Sequence, residues 1–330
     1  MKRVLLFCAV MAAAGCTSAT TFAPQSVQSQ TASQHRTQRD GGAWMDGIAK
    51  KVDLLYISEG DGQVTVYTYW QKTLVGQLTG FSQPMGECVD KNNNVYITDY
   101  LAKQIVEYAH AGKTPIATID EAPYAPHACS VDQSTGAIAV ANEAGSSSQG
   151  NIAVYANPSA KPKIYTDKSI TNFQACAYDG SGNLLASDDS ASRGDASFAW
   201  LAKNGGKLID VTLPGPQKSF SWNGVSGIQW DGRYYVIDDY DLFRVSVVNA
   251  QGFYVGETSL NNCCGQTTAV WIYNIHPNKQ GTQVVGGFSE RSYNLVEYWN
   301  YPAGGDQIGY VSKGIDNPTA VTVSLGKIHE

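Results

Sequence analysis

The chain has 330 residues, with 29 acidic against 23 basic side chains and a net charge of −6. The basic residues are scattered, which excludes general nucleic-acid binding. With 16% charged and 11% aromatic residues, the composition suits many buried strands under a modest polar surface.

Residues 1–15 read as an export signal: Lys2 and Arg3 precede an apolar run over 4–14, which is too short to span a bilayer. Residues 16–45 form a tether rich in Ser, Thr and Gln, in which Phe22 and Val27 are the only large apolar residues up to Ala43. Such a segment cannot offset its ordering entropy by burial. As a flexible coil it reaches about 30 Å. The folded domain is expected over 46–330. The stretch 44–51 is expected to form one or two helical turns against its edge, and no helical periodicity long enough for a second domain follows.

From Asp53 onward the chain reads as short strands. The segment 81–119 holds four of them in about forty residues, the size of one propeller blade. Cys88-Val89-Asp90 ends a short apolar strand, and 91–94 is a polar turn in which Asn tolerates left-handed backbone angles. Val95-Tyr96-Ile97-Thr98, Ile105-Val106-Glu107-Tyr108 and residues 115–119 supply the rest. Weaker copies align on the Asp that closes the first strand: Asp90, Asp132, Asp179 and Asp231 lie 42, 47 and 52 residues apart. Third strands recur at 64–67, 105–108, 152–155, 198–201, 242–245 and 295–298, which makes six blades. Residues 54–58 resemble a second strand, so blade one lacks its innermost strand. Residues 318–323 match 84–89 in register and supply it. The expected fold is an all-β six-bladed propeller of four-stranded antiparallel blades, its ring closed by the C-terminal strand.

Of seven Cys, Cys8 leaves with the signal. Cys129 and Cys176 share a register three residues before their Asp, which places them for a disulfide near the axis; the alternative is that both are small buried apolar residues. Cys263-Cys264 allows a vicinal disulfide. There is no CxxC or HxxxH spacing for zinc.

The pattern Pro-x-Gly-x-x-Val-Asp, an Asn turn, Val-Tyr-Ile-x-Asp and Ile-Val-x-Tyr resembles the NHL-repeat six-bladed propellers and the wider group that holds the SMP-30/gluconolactonase-like enzymes. The resemblance covers about residues 53–326. It implies a binding platform or, as in the lactonase relatives, a divalent metal held by carboxylates and amides at the axis. Ala13-Ala14-Gly15-Cys16 resembles the bacterial lipobox, which implies lipidation of Cys16 and a membrane anchor. Thr17 is not the Asp that retains lipoproteins at the inner membrane of Gram-negative cells. The resemblance therefore places the protein in the cell envelope, at the outer membrane if the cell is Gram-negative.

Loops that enter the inner strands and leave the second strands share one face of a propeller. The candidate ligand-binding residues there are Tyr124, Gln174, Trp222, Asn223, Asp99, Asp188 and Asp238. Their carboxylate and amide oxygens suit Ca²⁺ or Mg²⁺; the plain alternative is that each Asp caps nearby backbone N–H groups. Glu87 and His127 break the repeat, and together they make a candidate acid–base pair for lactonase or lyase chemistry. The expected function is a monomeric, membrane-tethered platform that binds a protein, glycan or small molecule through this face, with a metal-dependent enzyme as the second reading.

Overall fold

The computed structural model describes residues 42–188, 195–217, 222, 224–261, 267, 269–273, 283–290 and 293–326. Cys16 and the signal and tether up to residue 41, Asn223, Cys263 and Cys264 lie outside the described residues.

β-Branched and aromatic runs broken by Asp, Asn and Gly turns give six antiparallel blades, five of them four-stranded sheets and blade one a five-stranded sheet. Blade two is the plainest, with Pro84–Val89, Val95–Asp99, Gln104–Tyr108 and Ala117–Asp120 in order from the axis outward. The turn after its inner strand is set by Asp90, whose Oδ1 accepts from the backbone N–H groups of Asn92 and Asn94, both at 2.8 Å. Asn93 there has φ of 65°. Asp179 repeats the device with Ser181 and Asn183, and Gly182 takes the left-handed position. The repeated Asp is thus a turn-former.

The remaining inner strands are Ala125–Val131, Phe173–Tyr178, Gly227–Trp230, Ala269–Tyr273 and, for blade one, Pro318–Ser324. Pro318–Ser324 pairs antiparallel with Leu54–Glu59, from Leu54 opposite Ser324 to Glu59 opposite Pro318. The ring therefore closes with the C-terminal strand, which completes blade one and leaves only short, protected edges at the axis. Side-chain bonds from the same strand reach blade two: Thr319 Oγ1 donates to the Pro84 carbonyl and Ser324 Oγ to that of Asn93, both at 2.7 Å. At the other margin of blade one, Trp44–Met45 pairs with Leu74–Thr79 as a fifth strand, followed by a 3₁₀ turn over Gly47–Lys51. The helical expectation for 44–51 holds only for its second half. Trp44 and Met45 find an unpaired outer edge and take strand geometry instead.

Apolar side chains pack between blades. One cluster joins Leu54, Tyr56 and Val66 of blade one to Val89, Ile97 and Tyr108 of blade two. The next joins Cys88 and Tyr96 to Cys129, Val131 and Val140 of blade three. Side chains alternate across a strand, and the two faces of each sheet meet different neighbours. Successive inner-strand residues therefore face opposite ways around the ring.

This alternation corrects the expected disulfide. Cys88 pairs with Cys129, with Cα atoms 5.6 Å apart, and Cys176 is a buried free thiol. Cys129 and Cys176 occupy the same register, so both turn toward the preceding blade. Cys129 Sγ lies 3.9 Å from the Tyr96 carbonyl of blade two, and Cys176 Sγ 3.9 Å from the Ala139 carbonyl of blade three. Cys88 stands two residues before its Asp rather than three, so it points forward into Cys129.

Candidate functional site

The face on which the inner strands begin, here the start face, is where the sequence places the candidate residues. Asp99 ends the second strand of blade two, and its carboxylate accepts from the N–H groups of Ser82 and Gln83, the latter at 2.8 Å. Asp188 accepts from Ser197 N–H at 2.6 Å. Asp99 thus holds the loop that enters its inner strand, and Asp188 holds the start of the third strand of blade four. Asp238 is fully buried, receives the hydroxyls of Ser226 and Thr267, and keeps Oδ1 unpartnered. Burial pushes its carboxyl up to about 7. Trp222 is 3% exposed. Its ring sits edge-on between Phe198 and Phe243, and its indole N–H donates to the Leu213 carbonyl at 3.0 Å. It therefore holds blades four and five together and offers no ring to a ligand.

Glu87 and His127 both line a narrow space of about 50 Å³ at the axis, yet they turn apart. Glu87 shares the backward-facing register, and its Oε1 accepts from Ser58 Oγ of blade one at 2.7 Å. Its Oε2 is buried without a partner, and burial pushes the carboxyl up to about 8. His127 Nδ1 lies 2.9 Å from the Gln174 carbonyl of blade four. A carbonyl only accepts, so Nδ1 carries the proton. The acid and the imidazole thus hydrogen-bond in opposite directions around the ring.

A different grouping forms instead. Tyr100 Oη donates to Glu143 Oε2 at 2.7 Å, and Gln174 Nε2 to Glu143 Oε1 at 2.9 Å. The Tyr100 ring stands edge-on to His127, with centroids 6.3 Å apart. Blades two, three and four thus contribute to one half-buried polar network. Burial and the hydrogen bond to Glu143 push the Tyr100 hydroxyl up to about 12. Tyr124 is half-buried just before the inner strand of blade three, and Leu101, next to Tyr100, is 62% exposed. By sequence position Gln174, His127 and Glu143 belong to this face and Tyr100 lies beside a loop. Tyr100 and Glu143 lie at ordinary strand ends, and only the ring geometry brings them to the other two.

The described residues do not fit a lactonase-like metal centre. Both oxygens of Asp99 and Oδ1 of Asp188 accept from backbone N–H groups, and Asp238 sits between two hydroxyls. Among the described residues no three His, Cys, Asp or Glu side chains converge on a point. No helix among them is long and apolar enough to cross a membrane.

Larger open space lies at the other end of the axis, where the inner strands finish. A cavity of about 450 Å³ opens there, beside Asp90, Asp132, Asp179 and Trp230.

Solved structures share this architecture. A chain of the nidogen/laminin complex superposes with a TM-score of 0.61 at 14% identity, over 83% of this chain and 98% of that one. A protein of unknown function from Bacteroides caccae gives 0.58 at 11% identity, over 83% and 99%. The Cps50 (Swd1) propeller domain of Myceliophteria thermophila gives 0.54 at 11%, over 85% and 88%. The likeness is one of fold. No family model matches the chain, and no curated protein does. The six-bladed propeller is therefore placed by its architecture and not by membership of a sequence family.

Proposed function

We propose that the protein is an exported, membrane-tethered interaction platform that recognises a partner through the start face. The observation that carries this reading is the network of Tyr100, Glu143, Gln174 and His127, three blades wide, partly solvent-facing and fixed by its own hydrogen bonds. A surface already held in one geometry loses little entropy on binding. The exposed Leu101 supplies apolar contact at its margin, and aromatic and apolar groups at the centre of a patch commonly dominate recognition. The divergence of Glu87 and His127 favours a platform over an acid–base enzyme.

Export is supported by the Cys88–Cys129 disulfide, since such bonds persist in oxidising compartments. Lipidation at Cys16 follows from the lipobox resemblance. It is tested by metabolic labelling with a palmitate analogue, which wild type is expected to incorporate and Cys16→Ala to lose.

The platform reading is tested on glycan and cell-envelope protein arrays with the full chain. Tyr100→Ala is expected to weaken a specific ligand at least about tenfold, the usual effect of losing a central contact, and Leu101→Ala, at the margin, to weaken it by less. Tyr310→Ala, on the outer strand of blade six, is expected to change nothing. Equal binding by all three variants rules out the start face.

A further inference from the structure

The second end of the axis has a chemistry of its own. Its cavity of about 450 Å³ is of the size that takes a small molecule. The wall is apolar: Val89, Val131, Ile228, Ile272, Val323 and the Cys88–Cys129 disulfide. Tyr178, Trp230 and Trp271 add aromatic surface.

The rim is anionic. Asp90, Asp132 and Asp179, from three consecutive blades, border the opening. The hydrogen bonds these carboxylates receive come from neutral donors, most of them in the adjoining turn, and the Tyr235 hydroxyl of blade five also reaches Asp179. Asn92 and Asn94 serve Asp90, Ser134 and Thr135 serve Asp132, and Ser181 and Asn183 serve Asp179. The donors fix the carboxylates in place without neutralising them. At Asp132 they outweigh burial and hold the carboxyl below its ordinary range. Lys91 is the one basic side chain among the described lining residues, and it is exposed.

We propose that this cavity binds a small organic cation, an ammonium group carried on a short apolar body. The apolar part is taken up by the wall, and the ammonium sits among the three carboxylates and the aromatic rings. An anionic rim over a low-dielectric wall concentrates cations, and the faces of Trp and Tyr attract them further. The site is separate from the start face, so it stands or falls independently of the platform reading.

The test is titration calorimetry on the full chain with hexyltrimethylammonium, set against 1-hexanol and hexanoate as neutral and anionic probes of the same body. The cation is expected to bind one to one, to weaken with added salt, and to exceed both controls at least about tenfold, since each nearby carboxylate is worth roughly fivefold in a partly screened site. Replacing Asp90, Asp132 and Asp179 together by Asn keeps an oxygen for the turn N–H groups and removes the charge. It is expected to abolish the preference for the cation. Lys91→Gln, at an exposed position and so safe for folding, is expected to tighten the cation about fivefold by the same reckoning. Hexanol binding as tightly as the cation, no saturable binding at millimolar concentration, or indifference to Lys91→Gln each overturns the proposal.

Discussion

Removing the Cys88–Cys129 bond tests the face-alternation argument and the ring's stability together. The bond spans 41 residues. In the chain-entropy description, closing a loop of that length removes about 4 kcal/mol of freedom from the unfolded chain. The double variant Cys88→Ala/Cys129→Ala is therefore expected to lose up to about 4 kcal/mol, a fall in Tm of roughly 10 °C for a domain of this size. Adding reductant to wild type should reproduce the fall, and in a Cys263→Ala/Cys264→Ala background it should do nothing to the double variant. Cys176→Ala should leave the reductant effect intact, since its thiol, pushed up to about 12 by burial, stays out of the exchange. The assay is thermal melting with and without reductant, joined to mass-spectrometric mapping of the linked peptides. A Cys129–Cys176 peptide in the native protein would refute the argument, because it requires two residues of the same register to face each other.

Three further outcomes follow from the packing. Deletion of residues 315–330 strips blade one of its inner strand and should abolish cooperative melting; a truncated chain that melts like wild type contradicts the closure. Glu87 is buried and its carboxyl is pushed from 4.5 to about 8. The unfolded chain therefore releases a proton that the native state keeps, and the stability from this group is full below pH 4.5 and lost as pH rises toward 8. Glu87→Gln, which needs no proton, should raise Tm relative to wild type at pH 8 and not at pH 4; equal shifts at both values count against a neutral Glu87. Finally, a Cβ on Gly86 would stand 2.3 Å from the His127 carbonyl oxygen of the next blade. Gly86→Ala should cost about 1–3 kcal/mol by overpacking, read in urea unfolding, and an unchanged midpoint means that the two inner strands are less tightly apposed.

Much of the ring is legible in the residues because the repeat acts at two levels at once. The Asp and Asn of each turn fix strand ends locally, and the β-branched third strands, such as Ile105-Val106-Glu107-Tyr108, fix what is buried. Both recur together, so blade count and closure can be read. The Cys pairing cannot be read from register alone, since it depends on which face each residue turns to the next sheet. Trp222 was placed on a loop by its sequence position. Its burial is settled by Phe198 and Phe243, which lie in different blades. The start-face network also joins blades, and none of its hydrogen bonds runs within a repeat. The end-face cavity is not legible in the sequence, because its Asp residues serve the turns. Their charge is a by-product of turn formation that the sequence presents as mere repetition.

The clasp in blade one also bears on chain topology. Gly326 N–H donates to Asp53 Oδ1 at 2.8 Å, and the site of a Cβ on Gly326 lies 2.6 Å from the Val52 carbonyl carbon. The last described residues thus abut the first strand of the ring, and the order of blades around the axis has no privileged beginning. A short linker across that junction would allow the chain to be opened elsewhere, for instance in the exposed loop at 145–149, with the same six sheets retained. The clasp would then lie inside a continuous chain, and the new ends would belong to blade three. Which blade carries the seam is in this sense an accident of where the gene starts, while the ring itself is fixed by the contacts between neighbours.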